Sequence, residues 1–279
     1  MQLVRYADTV LKTRGVNHRV GTFRYKDLGE GIPGTPGNFF LRMVWSEADF
    51  FSPRHLHNFD QVRVQIEGNF NFSADGVMKP GTIGYFPEGT AYGPQTSQDD
   101  TVQLVMQIGG TSGNGYISEA QRIEAVDQLC KTGHFSEGRY FARDSTDRKG
   151  MDGFQAAWEQ AQGKKMIYPS RRFQKPILMN PGAIGWTTLP GIPGVERRPL
   201  WNFGTRTVGA DAYNAQPGST HTVAGPASCF VEQGTGRVES AGVKDTFSAF
   251  DVIHLTAGES ATLTPAETAR LLILLHPVF

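Results

Sequence analysis

A thirteen-residue step separates His55 from Gly68, and the same step separates His221 from Gly234. Phe86-Pro87-Glu88-Gly89 follows the first pair, and Leu255-Thr256-Ala257-Gly258 follows the second, with three residues added in the intervening hairpin. The offset is 166 for the first piece and 169 for the second. A chain that repeats itself in this way is two copies of one plan, so the repeat constrains the architecture before any single motif is weighed. Around it the sequence reads as short runs broken by Gly, Pro and Asp, at residues 39–45, 55–68, 69–73, 82–86 and 101–108, and again from residue 177 onward. Runs of that length and spacing predict antiparallel strands closed into barrels or sandwiches.

The first copy carries the chemistry. In Pro53-Arg54-His55-Leu56-His57-Asn58-Phe59-Asp60-Gln61, two histidines stand at i and i+2, which on an extended chain puts both on one face. Two imidazoles aimed into a barrel make half of a first-row transition-metal site. With Gly81, Pro87 and Gly89, this stretch resembles the two cupin motifs, G(x)5HxH(x)3–4E(x)6G and G(x)5PxG(x)2H(x)3N. The match covers His55, His57 and Gly68 in the first, and those three residues in the second. Gln61 stands where the motif has its ligand Glu, Tyr92 where it has its third His, and Thr96 where it has Asn.

The resemblance implies an all-β fold of two cupin (RmlC-like) jelly-roll barrels, each a double-stranded β-helix, joined by a short helical insert. Residues 1–115 are expected to form the N-terminal barrel with the site, 116–176 the connecting segment and 177–279 a degenerate second barrel. It also implies a divalent metal (Fe, Mn, Ni or Zn) held by His55, His57 and Gln61, with Asp60 as fallback ligand. A cupin metalloenzyme of this kind is a dioxygenase, or an isomerase, lyase or cyclase on an anionic or enolisable substrate. An amide in place of the carboxylate leaves the metal more Lewis-acidic and favours the nonoxidative reactions. The alternative is a metal-free or non-catalytic barrel that binds a small anionic metabolite. A storage-like structural protein is disfavoured by the polar row described next.

If Gln61 faces inward, Arg63 and Gln65 do so too, while Val62, Val64 and Ile66 face away. The matching row of the second copy is Ala227, Cys229 and Val231, and His57 is matched by Val223. Buried polar groups are costly unless paired, so the first barrel is expected to be lined for a ligand. Arg63 is the candidate for gripping an anionic oxygen and for catalysis. Tyr92 is a candidate ligand, acid–base group or wall. Gln65, Tyr85 and Gln95 complete the expected substrate-binding set. His221 is expected to be structural, and His254 and His276 to be satisfied core or surface residues.

Between the copies, Ser118-Glu119-Ala120-Gln121 is a capping box that opens a helix to about residue 132, stopped by Gly133. Residues 152–162 predict a second helix with Phe154, Ala157, Trp158 and Ala161 on one face. Residues 134–149 read as a solvated connection that includes His134. Residues 168–176 read as an extended connector whose Arg171 and Arg172 are expected as a solvated pair, with anion binding as the alternative, and the glycine-rich stretches 29–37 and 109–115 as a loop and a hinge. Twenty-seven basic residues balance 27 acidic ones at a pI near 7.1, which asks for neither nucleic acid nor an anionic membrane. No run is apolar and long enough for a transmembrane helix or a secretory signal, and Cys130 and Cys229 form no CxxC. A cytoplasmic protein with reduced thiols and a small anionic partner is the expectation, with a homodimer left open.

Overall fold

The computed structural model describes residues 1–15, 22–97, 99–110, 112, 116–204 and 206–279. Most of the 109–115 stretch therefore lies outside the described residues. The chain folds as two compact units: Leu11–Lys26 with Glu30–Met179, and Met1–Val10 with Asp27–Gly29 and Asn180–Phe279. The helical insert thus counts with the first barrel, and the first ten residues count with the second. Cys130 is exposed and Cys229 buried.

In the N-terminal unit a seven-stranded sheet runs in the order Ile177–Met179, Ile83–Phe86, Phe59–Glu67, Thr101–Gly109, Phe39–Ser46, Thr22–Glu30, Lys12–Gly15. A four-stranded sheet runs Phe51–Ser52, Gln95–Ser97, Phe70–Asn71, Val77–Met78. The C-terminal unit repeats the plan: Gln2–Val4, Val252–Leu255, Ala227–Gln233, Ala269–Leu275, Gly209–Ala215, Val195–Trp201, Thr187–Thr188, with a second sheet of His221–Ala224, Ser260–Pro265, Gly236–Ser240 and Val243–Phe247. Position for position the two orders agree, and the repeat legible in the sequence is a repeat of topology. The motif glycine recurs for a steric reason. Gly68 has φ +68, and a Cβ there would sit 2.3 Å from the Asp100 carbonyl oxygen; Gly234 has φ +95 with the Thr268 carbonyl oxygen at 2.7 Å. Only a residue without a side chain closes both hairpins.

The repeat slips locally. The turn after the second motif is in step, with Thr90 N donating to Pro87 O and Glu259 N to Thr256 O. Yet His55 bridges Tyr92, whereas Ala261, the match of Tyr92, pairs with Val223. By ladder position Val223, not His221, is the counterpart of His55. The central strands stay in register, since Gln61 pairs with Phe86 and Ala227 with Leu255.

The interiors differ as the rows predicted. Val223, Ala227, Cys229 and Val231 sit in one continuous apolar cluster with Val238, Phe247, Leu263, Leu271 and Ile273. That barrel is filled by its own side chains.

Helix α1 (Glu119–Thr132) begins with the full capping box, Ser118 Oγ accepting from Gln121 N and Gln121 Oε1 from Ser118 N. Helix α2 (Gly153–Gln162) is capped by Asp152 and buries Phe154, Ala157 and Trp158. The expected solvated connection between the helices instead contains a three-stranded antiparallel sheet, Gly133–Ser136, Arg139–Ala142 and Met151–Asp152. Tyr140 and the partly buried Phe135 pack there on Leu129 and Ala156, an apolar pair that the surrounding charges mask in the sequence. His134 stacks on Phe141, at 5.4 Å between centroids.

Candidate functional site

Three strands of the large N-terminal sheet set the floor of a cavity. Val105 pairs with Arg42 on one side and Arg63 on the other, Gln107 with Phe40 and Gln61, and Gln103 with Val44 and Gln65. Because the pleat alternates, these three rows share the inner face. All of these residues except Gln65 line a cavity of about 160 Å³. Cavities of roughly that size hold one benzene-sized molecule.

His55 and His57 both reach this cavity, but not from a regular strand. Residues 53–58 cross from one sheet to the other, tied by the His55–Tyr92 bridge and by Gly89 N donating to the His57 carbonyl at 2.8 Å, and the extended backbone still sets the two imidazoles side by side. Their centroids are 4.8 Å apart at 81°. His55 Nδ1 lies 2.6 Å from the Pro53 carbonyl oxygen, so it carries the proton and donates. Its Nε2 then accepts from the Gln95 amide at 3.3 Å. His57 Nε2 is 2.8 Å from the Tyr92 hydroxyl, which is also 3.3 Å from the Gln61 amide.

Arg63 decides how that amide is turned. A guanidinium has only donors, so Gln61 presents its oxygen to it, accepting from Nε at 2.8 Å and Nη2 at 3.1 Å. The amide nitrogen then faces the Gln107 side chain 2.6 Å away. Arg63 also lies 5.3–5.5 Å from the ring centroids of Phe70, Phe72 and Phe86, a cation–π cage that fixes it further.

Four expected site residues lie elsewhere. Gln65 ends its row against Gln103 Nε2 at 2.6 Å and donates to the Glu67 and Gly68 carbonyls, so it serves the sheet rather than the cavity. Tyr85 is on the opposite face, where its hydroxyl donates to Asp60 at 2.7 Å and accepts from Arg172 at 2.7 Å. Asp60 shares that outer cluster, also accepting from Glu88 N at 2.9 Å, which removes it as a fallback ligand. Arg172, expected in solvent, is drawn to the buried Asp60 carboxylate. Tyr92 is fully buried behind His57 among Phe70, Phe72 and Phe86 and touches the cavity only through its neighbours. Gln95 lines the cavity as expected.

The sequence reading missed one end of the cavity. Arg42 Nη1 is 3.2 Å from Glu119 Oε2, and Arg122 holds the same carboxylate through Nη2 at 2.8 Å and Nε at 3.2 Å. Both arginines are buried, and burial pulls the Arg122 pKa down to about 10. Phe154 of α2 packs edge-on against His57 and Phe59, so the insert forms part of the wall. The available signals were the alternation Phe40, Arg42, Val44 on one strand and the Glu119/Arg122 spacing of three on α1.

The donor set can be tested against a divalent metal. Among the described residues no group of three His, Cys, Asp or Glu stands together. His57 Nε2 faces a phenol, and the Gln61 oxygen faces a cation that would itself repel a metal ion. As arranged, these residues do not fit a resident divalent metal.

Two jelly-roll barrels of matching topology, one apolar and one with a polar cavity behind a cupin-like HxH segment, define a protein with the two-barrel cupin fold. Solved structures of the same fold have little sequence in common with it. A Pseudomonas aeruginosa protein named for glyoxylate induction is 14% identical at TM-score 0.60, over 95% of this chain and 84% of its own. Oxalate decarboxylase from Bacillus subtilis is 13% identical at TM-score 0.57, over 99% of this chain and 76% of its own. The Geobacillus kaustophilus protein GK1651 is 12% identical at TM-score 0.55, over 99% and 94%. No family model and no curated protein matches the sequence.

Proposed function

We propose that the N-terminal barrel is the working site of this chain and that it binds a small organic anion without a resident metal. The observation that carries this is charge: among the described residues lining the cavity stand three arginines, Arg42, Arg63 and Arg122, and one carboxylate, Glu119. Cations held out of water are costly unless an anion comes to them. Arg63 is preorganised by Gln61 and three phenylalanine rings, so little freedom is lost when it meets a carboxylate. Replacing it with Met keeps much of the stem and removes the charge. Arg63→Met should weaken binding of a carboxylate probe by about 1.5–3 kcal/mol, the worth of a hydrogen bond to a charged group. Unchanged affinity by titration calorimetry would remove Arg63 from the site.

A catalytic role has one observation in its favour, the 2.8 Å contact of His57 Nε2 with the Tyr92 hydroxyl. An imidazole backed by a phenol can accept a proton from an enolisable carbon of the bound anion and return it to another, an isomerisation with no change in composition. The rival reading is the metalloenzyme suggested by the motif, with His55, His57 and Gln61 as ligands. It requires Gln61 to leave Arg63. Elemental analysis of protein purified without a metal column separates the two. We expect no stoichiometric Fe, Mn, Ni or Zn; a stoichiometric metal lost in a His55→Ala/His57→Ala variant would establish the rival.

A further inference from the structure

Building on the anion-binding reading, we infer that the ligand is an aromatic carboxylate, its carboxylate at Arg63 and its ring against Phe59 and Phe154.

One strand carries both ends of this geometry. Phe59, Gln61 and Arg63 alternate onto the inner face of the strand Phe59–Glu67, and all three line the cavity. At about 3.3 Å per residue, the Cα atoms of Phe59 and Arg63 are about 13 Å apart. Gln61, between them, turns its oxygen to Arg63. The inner face of the strand thus grades from a cation through an amide to an aromatic ring. The strand Phe39–Ser46 adds to the aromatic end, since Phe40 lies across Gln107 from Gln61.

At that end the rings already follow one pattern. Phe59 meets Tyr116 at 5.5 Å and 84°, and Phe154 at 5.3 Å and 73°. Phe40 meets Tyr116 at 5.1 Å and 67°, and His57 meets Phe154 at 5.4 Å and 80°. All five of these residues line the cavity. Edge-to-face pairs at such distances are favourable beyond the area they bury, so a ligand ring extends the chain where an alkyl group gains area alone. Size points the same way, because about 160 Å³ holds one benzene-sized molecule. So does freedom: a ring is rigid, whereas an alkyl chain of similar size freezes several torsions on entering. The competing account is that these rings are only the core that fastens α2 to the barrel. A packed core gives a ring-bearing acid no advantage over an alkyl acid of the same charge.

Titration calorimetry with benzoate, cyclohexanecarboxylate, hexanoate and the uncharged benzamide separates the accounts. Benzoate should bind about tenfold tighter than either alkyl acid, the worth of one or two ring pairs. Phe154→Leu keeps an apolar side chain and removes one ring. It should weaken benzoate about fivefold and leave cyclohexanecarboxylate within about twofold of the wild type. Should that variant not fold, the wild-type ranking decides. Alkyl acids that bind as tightly as benzoate, or a benzoate preference that Phe154→Leu leaves intact, overturn the aromatic ligand while the anion-binding reading stands. Benzamide binding as tightly as benzoate, or no binding by any of the carboxylates, removes the anion-binding reading and the aromatic carboxylate with it.

Discussion

Asp60 and Gln61 are consecutive residues on opposite faces of one strand, and each is matched to its side. Gln61 turns its oxygen to Arg63 within the barrel, and Asp60 gathers Tyr85, the Glu88 amide and Arg172 outside it. Burial dominates at Asp60 and pushes its pKa up to about 6, against the pull of those donors and of Arg172. A carboxyl whose folded pKa lies above its unfolded value binds its proton more tightly in the folded state. Its contribution therefore favours folding at low pH and is lost as pH rises from about 4 through about 6. The upper bound, from the shift between 3.8 and about 6, is roughly 3 kcal/mol. Asp60→Asn cannot titrate. Relative to that variant, the wild type should lose stability over this window and run parallel above it, in thermal melts at a series of pH values. Parallel curves throughout would show that Asp60 does not titrate there.

At the scale of elements, local signals were legible and lateral ones were not. The capping box of α1 and the apolar stripe of α2 are written within a few consecutive residues, and both helices formed where those signals place them. The inward row Gln61, Arg63 followed from strand alternation alone. Arg42, Glu119 and Arg122 did not, because their meeting depends on the register of Val105 with both neighbouring strands and on where α1 docks. Tyr85 was misplaced for the same reason: its face is set by its pairing with Val62, which faces away from Gln61 and Arg63. Helix α2 gives a test at this scale. Asp152 Oδ1 accepts from Phe154 N at 2.9 Å and Gln155 N at 3.1 Å, and the Phe154 ring leans on His57 and Phe59. Removing the cap with Asp152→Ala should cost about 1 kcal/mol in a denaturant melt. It should also weaken binding of the carboxylate probe, because one wall of the cavity rides on that turn. A variant as stable as the wild type would mean the cap contributes nothing.

The whole molecule is one plan used twice, with a cavity in one copy and a packed interior in the other. The sequence showed this contrast because strand alternation sets Gln61 and Arg63 against Ala227 and Cys229 across the repeat. It could not show the two-residue slip that makes Val223 the ladder counterpart of His55, since the step of thirteen residues matches His55 to His221. The inequality leads to a paired experiment. His55 lines the cavity between the Pro53 carbonyl and the Gln95 amide. His221 stacks on Tyr213, with centroids 4.4 Å apart, beside the apolar cluster of Val223, Ala227 and Cys229. Burial, with the charge of Arg197, holds the His221 pKa below its ordinary value, so it stays neutral where most surface histidines begin to protonate. His55→Gln should therefore weaken binding of the carboxylate probe by about tenfold, roughly 1.4 kcal/mol, with little loss of stability. His221→Gln should cost roughly 1 kcal/mol of folding stability through the lost ring contact and leave binding untouched. A thermal melt and one calorimetric titration on each variant suffice. If His221→Gln abolishes binding while His55→Gln is silent, the site lies in the other barrel and the charge argument built on Arg42, Arg63 and Arg122 goes with it.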